Sequence, residues 1–149
     1  MLLKKGMILI MKIILDAMGG DNAPDANIKG AVNAINKVKA EVILVGKEEI
    51  IRNKIKEFYG KEMEEISDRL KIKNATETIE MCDTPTIAIK HKKDSSMVVG
   101  FKMLKEDEGD VFISAGNSGA LLTGATLLVG RIKGIDRPAL AGILPAYKS

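Results

Sequence analysis

Short apolar runs alternate with longer amphipathic stretches along this chain, and no other feature restricts its fold as strongly. Short apolar segments, typical of buried strands, occur at residues 13–15, 41–46 and 110–114, and a further short strand is expected at 70–74. Helical spacing of apolar residues extends over residues 24–38, 47–59, 85–92, 95–106 and 117–132. Strands and helices in this order predict an α/β fold with a mostly parallel sheet. We expect a solvated connection at 61–68 and a further strand-like run at 140–144.

Composition excludes several classes of protein. At 149 residues, with 46% hydrophobic and 29% charged residues, the chain has the size and balance of one soluble domain. Aromatic residues make up 3% and tryptophan is absent, so we expect no stacking platform for nucleic acid. A single cysteine, Cys82, excludes an internal disulfide and favours a reducing, cytoplasmic location. The only histidine, His91, is not part of a cluster of cysteines or carboxylates, so no metal site is expected.

The first ten residues are interpreted as a surplus extension, with the α/β domain running from 11 to 149. Lys4 and Lys5 precede an apolar run that resembles a short signal peptide, but Lys12 interrupts that run and Asp16 ends it. Residues 115–130 form an uncharged stretch of 16 residues. A spanning helix needs roughly 20 residues, so a core helix is the better interpretation, with peripheral membrane contact left open.

The turn between the first strand and the first helix, residues 16–24, contains two glycines and two carboxylates. Glycine permits backbone angles that other residues resist and leaves room for a ligand, and a helix start attracts anions. An anion-binding turn is therefore one interpretation. The other is an ordinary turn in which Asp21 or Asn22 caps the helix and Pro24 occupies its first position. The candidate site residues here are Asp16, Gly19, Gly20, Asp21 and Asn22.

A second turn of the same kind follows the strand at 110–114. In an open α/β sheet, ligands bind outside the carboxyl ends of the strands, so one crevice can receive a ligand from both turns. Short polar side chains in this turn suit phosphate or carbonyl oxygen, although serine and asparagine also cap helices. The candidates are Ser114, Gly116, Asn117, Ser118 and Gly119.

Two well-known phosphate signatures are absent from the sequence. No G-x-G-x-x-G follows a strand, and the P-loop-like spacing at 119–126 has Ala125 in the lysine position.

The sequence also contains two basic clusters. One, at residues 90–93, precedes a helix that Asp94 or Ser95 would cap, and such a charge run is often simply a solvated face. The other follows the long helix, where it complements the helix dipole or forms a lip for an acidic partner; its members are Arg131, Lys133 and Arg137.

Four motifs occur in an order that resembles one family. They are DAMGGDNAP, KKDSSM, SAGNSGA and GRIKGIDRPAL. In order and approximate spacing they are similar to the bacterial phosphate acyltransferases of phospholipid synthesis (the PlsX family). The resemblance implies a doubly wound sheet with helices on both faces, like those of isopropylmalate dehydrogenases and phosphotransacetylases. It also implies transfer of a fatty acyl group from acyl carrier protein to inorganic phosphate, with no cofactor and with a homodimer at full length.

The resemblance assigns roles to the candidate residues. Phosphate is itself the nucleophile, so catalysis would rest on positioning and on stabilising the thioester oxyanion. Asn117 and Ser118, with the N–H groups of residues 116–119, would contact phosphate or the carbonyl, and the loop from Asp16 to Asn22 would form the facing wall. Charge and hydrogen bonds to phosphate would come from Lys93, Ser95 and Ser96. Docking of the acidic carrier protein would fall to Arg131, Lys133 and Arg137.

The chain departs from the family in two respects. Family members are considerably longer, so the sequence is interpreted as an N-terminal portion, and Ser118 stands where threonine is common. Two alternative functions stay open. One is a short-chain phosphotransacylase that uses coenzyme A thioesters, against which the motif at residues 130–140 weighs. The other is a non-catalytic folded fragment that binds anions or a partner chain.

Overall fold

A computed structural model describes residues 10–60 and 68–142 of the chain. Its strands alternate with helices in the order that the sequence predicts. They are β1 (Met11–Asp16), α1 (Asp25–Lys37), β2 (Ala40–Gly46), α2 (Glu48–Tyr59), β3 (Leu70–Asn74), α3 (Pro85–His91), α4 (Ser96–Lys105), β4 (Val111–Ile113) and α5 (Ser118–Gly124). A π-helical turn, Ala125–Val129, continues α5.

The strands form a four-stranded parallel sheet in the order β3-β2-β1-β4. Leu15 of β1 lies beside Leu44 of β2 on one side and beside Ile113 of β4 on the other. The chain therefore builds outward from β1 to β3 and then returns to place β4 on the opposite side of β1. This reversal between β1 and β4 is the topological switch point at which doubly wound sheets bind ligands.

Helices cover both faces of the sheet, which confirms the doubly wound α/β prediction. On one face, α1 and α2 bury side chains such as Ile28 and Ile51 against Val42 and Leu44. On the other face, α4 packs against alternate residues of the same strands; this cluster includes Ile14, Ile43, Val45, Val99 and Met103. Because successive strand residues point to opposite faces, the near-continuous apolar sequence of β2 serves both layers.

A third apolar cluster fixes the position of α5. It joins α3, α4 and α5 through Ile89, Phe101 and Ala120, all almost fully buried. Gly124 at the end of α5 lies directly against the Phe101 ring, where an added Cβ would come within 2.3 Å of a ring carbon. The close approach holds the end of α5 against α4.

One predicted helix cap and one predicted helix end are wrong. Neither Asp21 nor Asn22 caps α1: the chain turns through residues 21–24, Pro24 occupies the cap position, and no side chain caps the helix. The helix expected at 117–132 ends at Val129, because Gly130 takes a φ of +110° that breaks the helical path.

Three further predictions touch residues outside the described ranges. The strand-like run at 140–144 is not a strand over residues 140–142, and its last two residues are not described. The connection at 61–68 and the extension at 1–10 lie almost wholly outside the described residues, so both stay predictions. Within 10–60 and 68–142, no helix combines the length and apolar character that crossing a bilayer requires.

Candidate functional site

The two glycine turns touch one another at the switch point. A Cβ added to Gly19 would lie 3.0 Å from the backbone nitrogen of Gly116, and a Cβ added to Gly116 would lie 3.2 Å from the Cα of Gly19. Backbone meets backbone here because neither residue has a side chain. The turn after β1 and the turn after β4 therefore form one continuous edge, as expected of neighbouring parallel strands.

Asp16 joins the two turns from beneath. It is the last residue of β1, and its side chain is 2% exposed. One carboxylate oxygen accepts a hydrogen bond from the Ser114 hydroxyl at 2.8 Å, and the other accepts one from the Met18 N–H at 3.0 Å. Ser114 in turn accepts a hydrogen bond from the Gly116 N–H at 3.1 Å. Asp16 and Ser114 thus hold the turns in register, and their predicted contact with substrate stays a prediction.

Asn27 of α1 holds the first turn from the helix side, and sequence reasoning missed it. Its Nδ2 donates to the carbonyl oxygens of Asp16, Ala17 and Gly19 at 3.2, 3.1 and 2.8 Å. An asparagine in the first turn of a helix, next to a predicted glycine turn, is the signal that was available. Its bonds satisfy carbonyls that the irregular turn leaves without partners.

Asn117 makes two kinds of contact at the start of α5. Its Oδ1 accepts a hydrogen bond from the Ala120 N–H at 2.9 Å, so the predicted capping role is confirmed. Its Nδ2 donates to the carbonyl oxygens of Glu80, Met81 and Asp83 at 3.3, 3.2 and 3.1 Å. Because both ends of this buried amide have protein partners, the structure gives Asn117 a positioning role. Direct contact with phosphate stays a prediction.

The segment that Asn117 holds, residues 75–84, crosses from β3 toward α5, and we call it the strap. Its first half is fastened to the start of α4: the Thr76 hydroxyl and N–H both donate to the Asp94 carboxylate. Lys92 fastens its middle and its end, because the ammonium donates to the Thr78 carbonyl and to the Asp83 carboxylate. The strap therefore adds a third wall beside the two glycine turns, and sequence reasoning did not foresee it.

Both carboxylates that fasten the strap are stabilised in their charged form. The Thr76 hydroxyl, followed by the Thr76 N–H, lowers the pKa of Asp94 from its ordinary value of 3.8. The Lys92 ammonium, followed by the Glu80 N–H, lowers the pKa of Asp83 in the same way. Hydrogen bonds to the ionised form account for both shifts.

We expect Asp94→Asn to lower the melting temperature at neutral pH and to have a smaller effect in acid. A lowered folded-state pKa means that the carboxylate stabilises the fold fully above the unfolded value of 3.8, and that this contribution disappears as the pH falls through the folded value. Melting curves of the natural chain and of Asp94→Asn, recorded from pH 7 down to the acid limit of folding, measure the difference in melting temperature. Glu106→Gln, at an exposed position after α4, serves as the control. A difference in melting temperature that increases in acid would contradict the stabilising role of the charged Asp94 carboxylate.

Several groups at the joined turns face solvent. Asp21, Asn22 and Ser118 are exposed, and no described residue accepts a hydrogen bond from the N–H groups of Ser118 and Gly119. Gly20 has a φ of +107° and lies against Ala115, so its backbone forms part of the same surface. The edge thus offers short polar side chains and backbone donors to a ligand. In the part of the chain that the structure describes, no three His, Cys, Asp or Glu residues form a metal-binding group.

Comparison with known proteins places the chain in a family. Residues 11–149 match the family described as "Fatty acid synthesis protein". The chain belongs to this family. The chain is 54% identical over 136 residues to the "Phosphate acyltransferase" of Acetivibrio thermocellus, a match that covers 91% of the chain and 39% of that relative. It is 50% identical over 139 residues to the protein of the same name from Alkaliphilus oremlandii, covering 93% of the chain and 40% of the relative.

A third phosphate acyltransferase, from Clostridioides difficile, is 49% identical over 138 residues, and the match covers 93% of the chain and 39% of the relative. The resemblance drawn from the four motifs is therefore confirmed. The chain spans about two fifths of the length of these relatives.

In this member of the fatty acid synthesis protein family, the first basic cluster divides into residues with different surroundings. Lys92 is engaged with the strap, whereas Lys93 is exposed. Of the two predicted capping residues, Asp94 and Ser95, it is Ser95 that caps α4. Its hydroxyl accepts a hydrogen bond from the Val98 N–H and donates one to the Lys92 carbonyl. Ser96 is buried beside it, at 1% exposure. Contacts of Lys93, Ser95 and Ser96 with phosphate stay predictions.

The second basic cluster lies in an irregular exposed segment after α5. Arg131, Lys133 and Arg137 are all exposed, and the Arg131 guanidinium donates to the carbonyl of Asp136. Ile132, between the first two, is 81% exposed. The family member therefore presents positive charge and apolar surface together in this segment, and its contact with an acidic carrier protein stays a prediction.

Proposed function

We propose that the protein to which this chain belongs transfers a fatty acyl group from acyl carrier protein to inorganic phosphate. A phosphate oxygen attacks the thioester carbonyl, the carrier thiol leaves with a proton, and acyl phosphate is released for phospholipid synthesis. Family membership and relatives named phosphate acyltransferase support the transfer to phosphate. The exposed basic segment supports a protein donor with negative charge. We place the activity in the cytoplasm, in a homodimer that contacts membranes peripherally.

The meeting of the two glycine turns is the observation that carries this proposal. An attacking phosphate needs no side-chain nucleophile, but it must be held against the thioester, and the tetrahedral oxyanion must find donors. The joined turns offer the Ser118 hydroxyl and the N–H groups of Ser118 and Gly119 on one side. They offer Asp21 and Asn22 on the facing side. Asp16, Asn27 and Asn117 keep this arrangement in place from within.

The exposed basic side chains are assigned to binding phosphate and the carrier protein. Lys93 lies beside the strap's attachment to α4 and supplies positive charge for phosphate. Arg131, Lys133 and Arg137 attract the acidic carrier protein, an interaction that salt weakens when the charges are exposed. In this scheme substrate binding uses exposed groups, and the buried polar groups keep them in position.

The test uses two proteins, the 149-residue chain and a chimera. In the chimera, residues 11–142 of this chain replace the matching segment of the Acetivibrio thermocellus phosphate acyltransferase. Each is incubated with palmitoyl-acyl carrier protein and phosphate, and acyl phosphate is trapped with hydroxylamine. We expect phosphate-dependent hydroxamate from the chimera. Faster turnover with acetyl coenzyme A would instead support the short-chain phosphotransacylase. A folded chimera without turnover would leave the non-catalytic fragment as the better interpretation.

Removing the Ser118 hydroxyl tests the site within the same assay. In the chimera, Ser118→Ala is expected to lower turnover by about tenfold or more, because one donor to the developing oxyanion is lost. The fold should be unaffected, since this side chain is exposed. Thr86→Ala, which removes an exposed hydroxyl from the first turn of α3, is the matched control. Equal rates in the two variants would remove Ser118 from the site.

A further inference from the structure

An apolar groove lies between α1 and the sheet, on the face opposite α4. Its walls are Ile13 and Leu15 of β1, Ile113 of β4, and Ala26, Gly30 and Ala34 of α1. It encloses about 250 Å³. Asn27, which holds the first glycine turn, also lines it. An open apolar groove against a parallel sheet is unusual, because such sheets are covered on both faces.

The exposed surface continues onto β4. By register, Ile113 lies beside Leu15 on the same side of the sheet, and its side chain is 47% exposed. Among the described strands, β4 pairs only with β1, so its outer edge is open. The groove therefore sits where a doubly wound sheet would continue, beyond the switch point.

Up to residue 142, where the described part of the chain ends, the elements that follow β4 do not cover this side. α5 leaves β4 and packs against α4, on the face away from α1. Right-handed crossovers that extend the sheet beyond β4 keep their helices on that same face. Neither the described elements after β4 nor crossovers of this kind therefore supply a cover for the α1 side. The relatives hold the required length, since the chain matches only 39% of the Acetivibrio thermocellus protein.

We propose that this groove seats an amphipathic helix from the polypeptide that follows this segment in family members of full length. Ala26, Gly30 and Ala34 recur at four-residue spacing on one side of α1, a row that packs closely against a second helix. A Cβ at Gly30 would meet nothing within 4 Å, so there is space for that helix to approach. Asn27 lines the groove and also holds the first glycine turn, so a helix seated in the groove packs beside this residue.

Thiol accessibility at two positions of α1 tests the proposal. In a Cys82→Ser background, which removes the exposed natural thiol, Gly30→Cys places a probe in the groove and Asn33→Cys places one on the exposed side of α1. Cysteine is a better helix former than glycine and about equal to asparagine, so neither probe should harm α1. The reaction with a thiol reagent is followed in the 149-residue chain and in the chimera, each shown to be folded by circular dichroism.

We expect Gly30→Cys to react about tenfold or more slowly in the chimera than in the 149-residue chain. Asn33→Cys should react at similar rates in both. Equal reactivity of Gly30→Cys in the two proteins would overturn the proposal. So would protection that increases with protein concentration, since a second copy would then be the occupant. Thiol reactivity does not depend on turnover, so this test can fail while the proposed acyl transfer is supported, and the reverse.

Discussion

Replacing Gly19 by alanine is expected to lower the free energy of unfolding by about 3 kcal/mol. The new Cβ would lie 2.5 Å from a carboxylate oxygen of Asp16, 2.9 Å from the Ser114 hydroxyl and 3.0 Å from the Gly116 nitrogen. None of these atoms is the free end of a flexible side chain, because Asp16 and Ser114 are bonded to one another and Gly116 is backbone. The two turns must therefore separate to admit a single methyl group.

Urea denaturation of the purified chain measures this effect, and Gly30→Ala is the matched control. Gly30 lies within α1, and an added Cβ meets nothing within 4 Å. Alanine there should raise stability by about 0.5–1 kcal/mol, because glycine is the poorer helix former. The same substitution thus has opposite expected signs at the two positions. If Gly19→Ala were as stable as the natural chain, the close contact between the turns would be refuted.

Asn117→Asp is expected to lower stability by about 3 kcal/mol at neutral pH, although aspartate caps helices as well as asparagine does. The change keeps the size of the side chain and the oxygen that accepts from the Ala120 N–H. It replaces the Nδ2 donor by an oxygen that faces the carbonyls of the strap residues Glu80, Met81 and Asp83. Three attractive contacts become repulsive, and a charge is placed at a buried position.

The pH dependence of this variant separates the strap contact from the cap. A carboxyl protonated below a pH of about 4 donates a hydrogen bond again, so the deficit of Asn117→Asp should shrink in acid. Asn117→Ser keeps a capping oxygen, loses the contact with the strap and adds no charge, so we expect an intermediate loss that does not vary with pH. A deficit in Asn117→Asp that is independent of pH would contradict this account. Chemical denaturation at several pH values provides the measurement.

The fold was predictable because its signals are local. β2 is apolar apart from Glu41 and ends at Gly46, and α1 carries a buried stripe that includes Ile28, Val32 and Ile35. The meeting of the two glycine turns was predictable as well. Parallel strands that share an edge place their carboxyl ends together, so the location of the turns in the sequence was sufficient.

The contacts that hold the site were not predictable in the same way. Asn117 bonds to carbonyls 34 to 37 residues earlier in the chain, and the path of the strap that brings them there has no periodic pattern in the sequence. The capping residue of α1 was mispredicted for a related reason. Asp21 and Asn22 are good capping residues by type, but the turn through residues 21–24 delays the helix to Asp25. The residue types indicated that capping and hydrogen-bonding side chains were present, but only the path of the backbone shows which residue performs each role.

The contact of the strap with the Asn117 amide has a consequence for how the protein ages. Asparagine is among the thermally labile residues, and hydrolysis of its amide yields aspartate without any change in the gene. At Asn117 that reaction would produce the substitution discussed above, at a position whose Nδ2 contacts three carbonyls. Old or heated samples would then contain a second, less stable population with one additional negative charge. Charge-resolved separation before any stability measurement would distinguish that slow chemical damage from an inherited defect.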